Sequence, residues 1–449
     1  MSEVIVQTQK PVTNGRFLAE AQTFLIVWLG QVVSLLGSSM TGFALGVWIY
    51  QETGSATGFA LTLLFNMLPR AVFAPVAGVI ADRYNRRQVM IVADLGAGVT
   101  TVLTAFLFLS GQLDVWHIYL FTALNSSFGA LQGPAFGASV TQLVPKAHFG
   151  RANGLMELGQ GVSQILAPVL AGLLIAGVGL WSVLLVDMTT FFFAVLTLLL
   201  VRFPAYRPEA VTADVEQQET WRQQIWQGWC YLWTRPGLLG LVLVFTGVNF
   251  FIGIAEAVLT PMILSFATPE QLGMVMTIGG VGLLMGSVLM SIWGGGKRKV
   301  PVVFGAYALL ALGVFLAGLS PSVWLIATAL FLVFFLLPTV LGGKQAILQA
   351  KVAAEVQGRV FALSGMIFTL SFALAYLIGG PLADRVFEPL LAADGLLAGT
   401  VGQIIGVGPG RGMGLIFVVM GLLAMVTAVS AFAYPRIRNL ETELPDMMS

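Results

Sequence analysis

Long uncharged stretches alternate along the chain with short clusters of charge. Residues 21–51, 115–145, 271–296 and 412–435 contain no Asp, Glu, Lys or Arg, and neither does 300–343, which Ser320-Pro321-Ser322 interrupts. A helix that crosses a bilayer needs about 20 apolar residues. Dividing the chain at its polar and Gly/Pro punctuation predicts twelve such helices, over 22–49, 57–81, 89–110, 115–143, 153–177, 180–201, 238–264, 271–294, 301–319, 322–343, 360–383 and 412–434. The longest polar stretch, 204–236, falls in the middle. The expected plan is therefore a tail (1–20), a first six-helix bundle (21–203), a linker (204–236), a second six-helix bundle (237–435) and a second tail (436–449). Late in the linker, Trp221, Ile225, Trp229 and Trp233 recur every four residues with Trp226 beside them, predicting an amphipathic helix in the headgroup layer.

Composition excludes the main alternatives. Of 449 residues, 57% are hydrophobic and 10% charged, with a mean hydropathy of +0.89. Soluble chains carry about 25% charged residues, so a large soluble enzyme is ruled out, and so is disorder. The net charge of +1 implies no nucleic-acid or other polyanionic partner. One cysteine, Cys230, cannot form an intramolecular disulfide or a thiolate cluster, and His117 and His148 are too far apart for a metal motif. At Lys344 the P-loop pattern fails, with Pro338 and Gln345 at the glycine and hydroxyl positions. Residues 406–414 miss the dinucleotide spacing and read as flexible turns. No cofactor, metal or enzymatic constellation is expected.

Lysine and arginine set the orientation. With the N-terminus inside and twelve crossings, nineteen of the 22 basic residues fall on the inner side, Lys344 and Lys351 among them, against Arg385 and Arg411 outside and Arg70 within a span. Both termini are expected in the cytoplasm, in a bacterial inner membrane. An internal repeat relates the halves. Gly150-Arg151 is followed by Ala167-Pro168-Val169-Leu170-Ala171-Gly172, and Gly358-Arg359 by Ala375-Tyr376-Leu377-Ile378-Gly379-Gly380, both at an offset of 208. Parallel repeats of this kind are the plan of transporters with a midplane site between two rocking halves.

Between the second and third spans stands Gly78-Val79-Ile80-Ala81-Asp82-Arg83-Tyr84-Asn85-Arg86-Arg87. It resembles the signature of the major facilitator superfamily. The segments 145–153 (PKAHFGRAN), 357–362 (QGRVFA) and 406–414 (GVGPGRGMG) are similar to its macrolide-efflux and enterobactin-exporter-like branch, so the resemblance spans both halves. It implies an all-α fold of twelve transmembrane helices in two six-helix bundles. It also implies a gating turn of Gly78, Asp82, Arg83, Arg86 and Arg87 that clasps the start of span eleven near Gly358 and Arg359. Ala167, Pro168, Ala171 and Gly172 stand where the superfamily's antiporters carry a glycine-proline signature, with alanine replacing two of its glycines. The arginine that many proton-driven members carry in span four is absent here.

Ionisable groups inside a span cost about 2.5–3.5 kcal/mol on insertion scales and each calls for a role. Arg70 lies twelve residues before Asp82, about 18 Å into the membrane, with Asp94 at similar depth as its expected partner, either as a fixed ion pair or in substrate binding or coupling. Glu157, Asp187 and Glu256 are the other proton-coupling candidates. Spans one, four, seven and ten face the cavity in the superfamily, which singles out Glu256. Gln31, Arg70, Asn125, Gln132, Asn249, Phe250, Phe251, Phe334 and Phe335 are the expected cavity residues, an aromatic set that suits a bulky amphipathic ligand better than a sugar.

These features predict a monomeric exporter of amphipathic small molecules, drug-, macrolide- or siderophore-like, working by proton antiport and alternating access within membrane lipid. A lipid or lysolipid transporter of the same fold and a non-transporting receptor remain open. Reporter fusions test the topology. Fusions in 204–236 and after 436 should be active only in the cytoplasm, and fusions in 388–411 only outside; a cytoplasmic 388–411 would overturn the twelve-span count.

Overall fold

The computed structural model describes residues 21–201, 203, 221–296 and 298–443, without the side chains of Asp82, Ala147, 221–225 and Ala354. The N-terminal tail 1–20, Arg202, the linker segment 204–220, Lys297 and residues 444–449 lie outside the described residues. The first part of the linker and the Trp221 and Ile225 side chains are thus outside it too.

Twelve long helices follow one another: α1 Gln22–Thr53, α2 Ala56–Arg83, α3 Arg86–Leu109, α4 Val115–Leu143, α5 Phe149–Gly177, α6 Leu180–Leu200, α7 Pro236–Leu264, α8 Pro269–Trp293, α9 Lys299–Ala317, α10 Val323–Lys351, α11 Ala354–Leu382 and α12 Arg411–Ala433. Among the described residues there is no strand. Eleven helices are long and apolar enough to cross a membrane. The twelfth, α4, has the length, but His117, Asn125, Ser126, Ser127 and Gln132 dilute its apolar character. The ends are written locally. The Asn85 and Ser322 side chains accept from the first-turn amides Arg87 N and Leu325 N, and Thr268 and Gln271 form a capping box. Gly54 and Gly294 close α1 and α8 in the left-handed conformation.

Odd-numbered helices start at one face, which carries Arg83, Arg86, Arg87, Arg235, Arg298 and Arg436; we call it the basic face and the other the far face. Two boundaries differ from expectation. Helix α10 continues to Lys351 and α11 already starts at Ala354. Lys344 and Lys351 therefore belong to a long helix, not to a basic loop, and Arg359 lies in the second turn of α11. The 383–411 segment is also more organised than flexible turns. A π-helical turn, Ala383–Phe387, leads to Glu388, whose carboxylate accepts from Gly410 N and Met413 N. Arg411 is buried and donates to the Gly318 carbonyl.

Packing follows the repeat. Within the first half the most extensive pairs are α1–α5, α1–α6, α2–α4, α3–α4 and α3–α6; the second half repeats them as α7–α11, α7–α12, α8–α10, α9–α10 and α9–α12. The result is two six-helix bundles. Between them the main contacts are α5–α8 and α2–α11, again a related pair. Helix Trp221–Trp233 docks on the start of α11: Leu232 is buried, and Tyr231 OH accepts from Ala353 N. Trp226 and Trp233 point outward, each 66% exposed.

Apolar lipid supplies little drive for helices to associate, so small residues that allow close approach carry much of the packing. Gly286 on α8 has the Phe335 backbone of α10 against it, and any Cβ there would collide with that carbonyl. Gly286→Val should destabilise the second bundle by about 1–3 kcal/mol. Lower thermal stability of the detergent-purified protein, with Gly78→Val unaffected because Gly78 faces open space, is the expected result.

Candidate functional site

The two bundles meet at the far face and part toward the basic face. At the far end, Val47, Ala56 and Ala60 of the first half join the hydrophobic core of the second. Gly172 of α5 lies against the first turn of α8, where a Cβ would stand 2.8 Å from the Pro269 carbonyl. Its repeat counterpart Gly380, on α11, lies against the first turn of α2, where a Cβ would stand 2.9 Å from Thr57 N. A hydrogen-bonded cluster crosses the same seam. The Asp384 carboxylate accepts from Ser55 Oγ (2.7 Å), Ala56 N (2.9 Å), Thr57 N (2.9 Å) and Thr57 Oγ1 (2.7 Å).

Toward the basic face the contacts vanish. Residues 72–76 of α2 are all exposed. Five consecutive positions cover more than a helical turn, so α2 is only loosely covered there. Gly78 and Gly358 face open space, and Glu157 and Leu158 of α5 are exposed. A cleft between the bundles thus opens on the basic face and is closed at the far one.

Ala167, Pro168, Ala171 and Gly172 lie on α5, which packs against α8, with Ala167, Ala171 and Gly172 buried; small side chains here permit the far-end seam. In the gating turn, Arg87 donates to the carbonyls of Leu198 and Leu199, and Arg86 to that of Ala138 and to Thr141 Oγ1. Arg87 thereby satisfies end carbonyls of α6. Arg83 is exposed. Gly78 and Gly358 both face open space, and Asp82's side chain lies outside the described residues.

The carboxylates inside the first bundle are tied to its own helices. Asp187 of α6 is buried, and its two oxygens accept from Ser38 Oγ of α1 and Thr101 Oγ1 of α3, both at 3.0 Å. Asp94 of α3 is buried and accepts from Gln31 Nε2 of α1 at 3.0 Å; Gln31 Oε1 in turn accepts from Gln132 of α4. The expected Arg70–Asp94 pair is not formed. Arg70 is exposed on α2, its guanidinium above Gly129 of α4, and makes no hydrogen bond or ion pair among the described residues. Similar depth places two residues at one height but says nothing about their direction around the helices. Asn125, also expected in the cavity, donates to Thr100 of α3.

In the second bundle, Glu256 of α7 accepts from Tyr376 Oη of α11 at 2.9 Å. Its side chain is exposed between the buried neighbours Ala255 and Ala257, on the side of α7 that meets α11. Glu256 is eight residues from the far end of α7, about 12 Å, and so near the closed end. Asn249 is buried, Phe250 and Phe251 pack edge to face, Phe334 packs over Gly279, and Phe335 stacks on Phe331. These rings also serve helix packing. A separate groove of about 430 Å³ between α1, α3, α5 and α8 at the far end, lined by Trp48, Phe108 and Glu270, is not part of the cleft.

Three residues escaped the sequence reading. Tyr376 stood within the repeat segment that was used only as a marker. Lys344 lies between the Phe368 ring (4.2 Å) and the Phe245 ring (5.4 Å), a cation–π arrangement hidden by placing it in a loop. Asp384 lies in Gly380-Pro381-Leu382-Ala383-Asp384-Arg385, which shares Gly-x-x-Ala-Asp-Arg with 78–83. Because Arg70 and Asp94 have different partners, Arg70→Ala and Asp94→Ala should act additively on thermal stability, with coupling below about 0.5 kcal/mol. A larger coupling in the double-mutant cycle would restore the pair.

Comparison with known proteins agrees with this architecture. The family model described as Major Facilitator Superfamily matches residues 27–376. Macrolide efflux protein A of Streptococcus pyogenes is 27% identical over 371 residues, covering 81% of this chain and 90% of that protein. Multidrug efflux pump Tap of Mycolicibacterium fortuitum is 21% identical over 431 residues, 93% of this chain and 97% of that one. Among solved structures, a bacterial homologue of the iron transporter ferroportin in the inward-facing state aligns at 14% identity with a TM-score of 0.65, over 91% of this chain and 98% of its own. The nucleoside transporter NupG aligns at 12% identity with a TM-score of 0.66, over 92% and 98%; both likenesses concern the fold. With the family model covering most of a chain whose two bundles meet at one face and part at the other, the protein belongs to the major facilitator superfamily and is a multi-pass membrane transporter.

Proposed function

We propose that the protein exports amphipathic small molecules, drug-, macrolide- or siderophore-like, across the bacterial inner membrane, as a monomer and by alternating access coupled to inward proton flow. The observation that carries this reading is the cleft itself: open on the basic face, closed at the far face, with Glu256 exposed near its closed end. The basic bias supports a cytoplasmic open face, from which cargo enters on the side where a drug acts. The aromatic and amide residues along the cleft suit a large, mainly apolar ligand with few hydrogen-bonding groups. The efflux relatives favour the same cargo class.

The cycle follows from the position of Glu256. In the cytoplasm-open state its carboxyl gives up a proton to the cytoplasm and the cargo enters. Rearrangement opens the far face; the cargo leaves and the carboxylate takes a proton from outside. The protonated carrier returns, and one cargo leaves for each proton that enters. Tyr376 holds the carboxylate oxygen at 2.9 Å, orienting it in both protonation states.

Glu256→Gln removes the titration but keeps a hydrogen-bond acceptor for Tyr376. In inverted vesicles, pH-driven uptake of a fluorescent cationic amphiphile should fall at least about tenfold, or 1.4 kcal/mol, while its binding to the purified protein stays unchanged. Uptake at the wild-type rate would remove Glu256 from the coupling.

A further inference from the structure

We propose that Asp384 is the latch of the far gate: a positioning residue whose carboxylate caps the first turn of α2 and holds the two bundles together only while the cytoplasmic side is open. This rests on the alternating-access reading above.

The first turn of a helix leaves amide N–H groups without partners inside the helix and carries the positive end of its dipole. At the start of α2, Ser55 supplies its own cap to Gly58 N at 3.1 Å. The amides of Ala56 and Thr57 are left, and both donate to Asp384 at 2.9 Å, joined by the Ser55 and Thr57 hydroxyls at 2.7 Å. Four donors from the first bundle converge on one carboxylate of the second. Each of these is a hydrogen bond to a charged acceptor, the stronger kind.

The internal repeat shows what the carboxylate adds. At the related seam, Gly172 of α5 meets the first turn of α8 just as Gly380 of α11 meets that of α2. Applying the offset of 208, the counterpart of Asp384 is Ala176. The first turn of α8 is capped within its own helix by Thr268 and Gln271. Close glycine packing therefore closes a seam without a carboxylate from the facing bundle. The carboxylate is an extra, directional bond on one seam, made by groups that must separate when the far face opens. Once they separate, water can solvate the freed amides and hydroxyls, so the latch biases the equilibrium without locking it.

The test measures conformation directly. In a Cys230→Ser background, spin labels at Glu52→Cys and Leu396→Cys, both exposed, report the far end by electron–electron distance; Tyr84→Cys and Glu355→Cys report the basic end. Asp384→Ala should raise the ratio of far-open to far-closed distances about tenfold, equivalent to about 1.4 kcal/mol, and shorten the basic-end distance in step. Asp384→Asn, which still accepts hydrogen bonds without a charge, should fall between. Ser55→Ala with Thr57→Val leaves Asp384 in place and should shift the populations the same way, so a folding defect in one variant does not decide the matter. Arg385→Gln, a change at an exposed neighbour, should leave them unchanged. Wild-type distributions in both Asp384→Ala and the Ser55/Thr57 variant, in a protein that otherwise shows two far-end distances, would overturn the latch and leave alternating access standing. A single far-end distance in every variant and with added cationic amphiphile would overturn both.

Discussion

The far-end seam is the contact from which the rest of the arrangement follows. Two bundles, each surrounded by lipid as apolar as their own surfaces, gain little by burying more hydrocarbon against one another. They are held where backbones come close enough for dispersion and hydrogen bonding to act, and that happens at two helix starts. Gly172 admits the first turn of α8, and Gly380 admits the first turn of α2. Because both contacts lie at the same face, the bundles diverge toward the other, and α2 is exposed over residues 72–76 on that side. The cleft, its opening on the basic face and the access to Glu256 are all geometric consequences.

A polar group in this environment has either an internal partner or a wet cavity, and the carboxylates divide on that line. Asp187 has both oxygens occupied by hydroxyls of two other helices, and Asp94 leans on a glutamine that a second glutamine supports. Both tie helices of one bundle together. Glu256 differs in having one phenol and an exposed surface. In the proposed cycle a proton arrives and leaves by water, and exposure sets Glu256 apart from the two buried carboxylates on that count.

Spans and repeat were legible in the sequence because each depends on spacing along one chain. The capping residues at the helix ends and the helix pairs that touch emerged only in the structure, where the pairs follow the repeat. Pairings across helices were not legible. Arg70 and Asp94 share a depth, yet one guanidinium rests over Gly129 and the other carboxylate faces α1; depth follows from counting residues, whereas direction around a helix depends on neighbours not yet known. Lys344 misled in another way. A lysine near the end of an apolar run reads as the start of a loop, but its long stem and two aromatic rings let the helix continue for two more turns. Asp384 was visible only in retrospect, as a second Gly-x-x-Ala-Asp-Arg at the opposite face.

The halves share a skeleton and differ in where their polar groups point, and this bears on how they could move. In the first bundle the Asp94–Gln31–Gln132 chain and the Asp187 cluster join α1, α3, α4 and α6 through hydrogen bonds directed inward. In the second, the Tyr376–Glu256 bond links α7 to α11, with the carboxylate open to the cleft. Rocking about a seam requires at least one body that keeps its shape, since a soft bundle would absorb the displacement by sliding its own helices. The first bundle meets that requirement through its internal polar ties. The second carries both the cleft carboxylate and the residue that grips α2, so a change at Glu256 and a change at the far seam reach each other through a single helix, α11, which holds Tyr376 and, two residues past its end, Asp384.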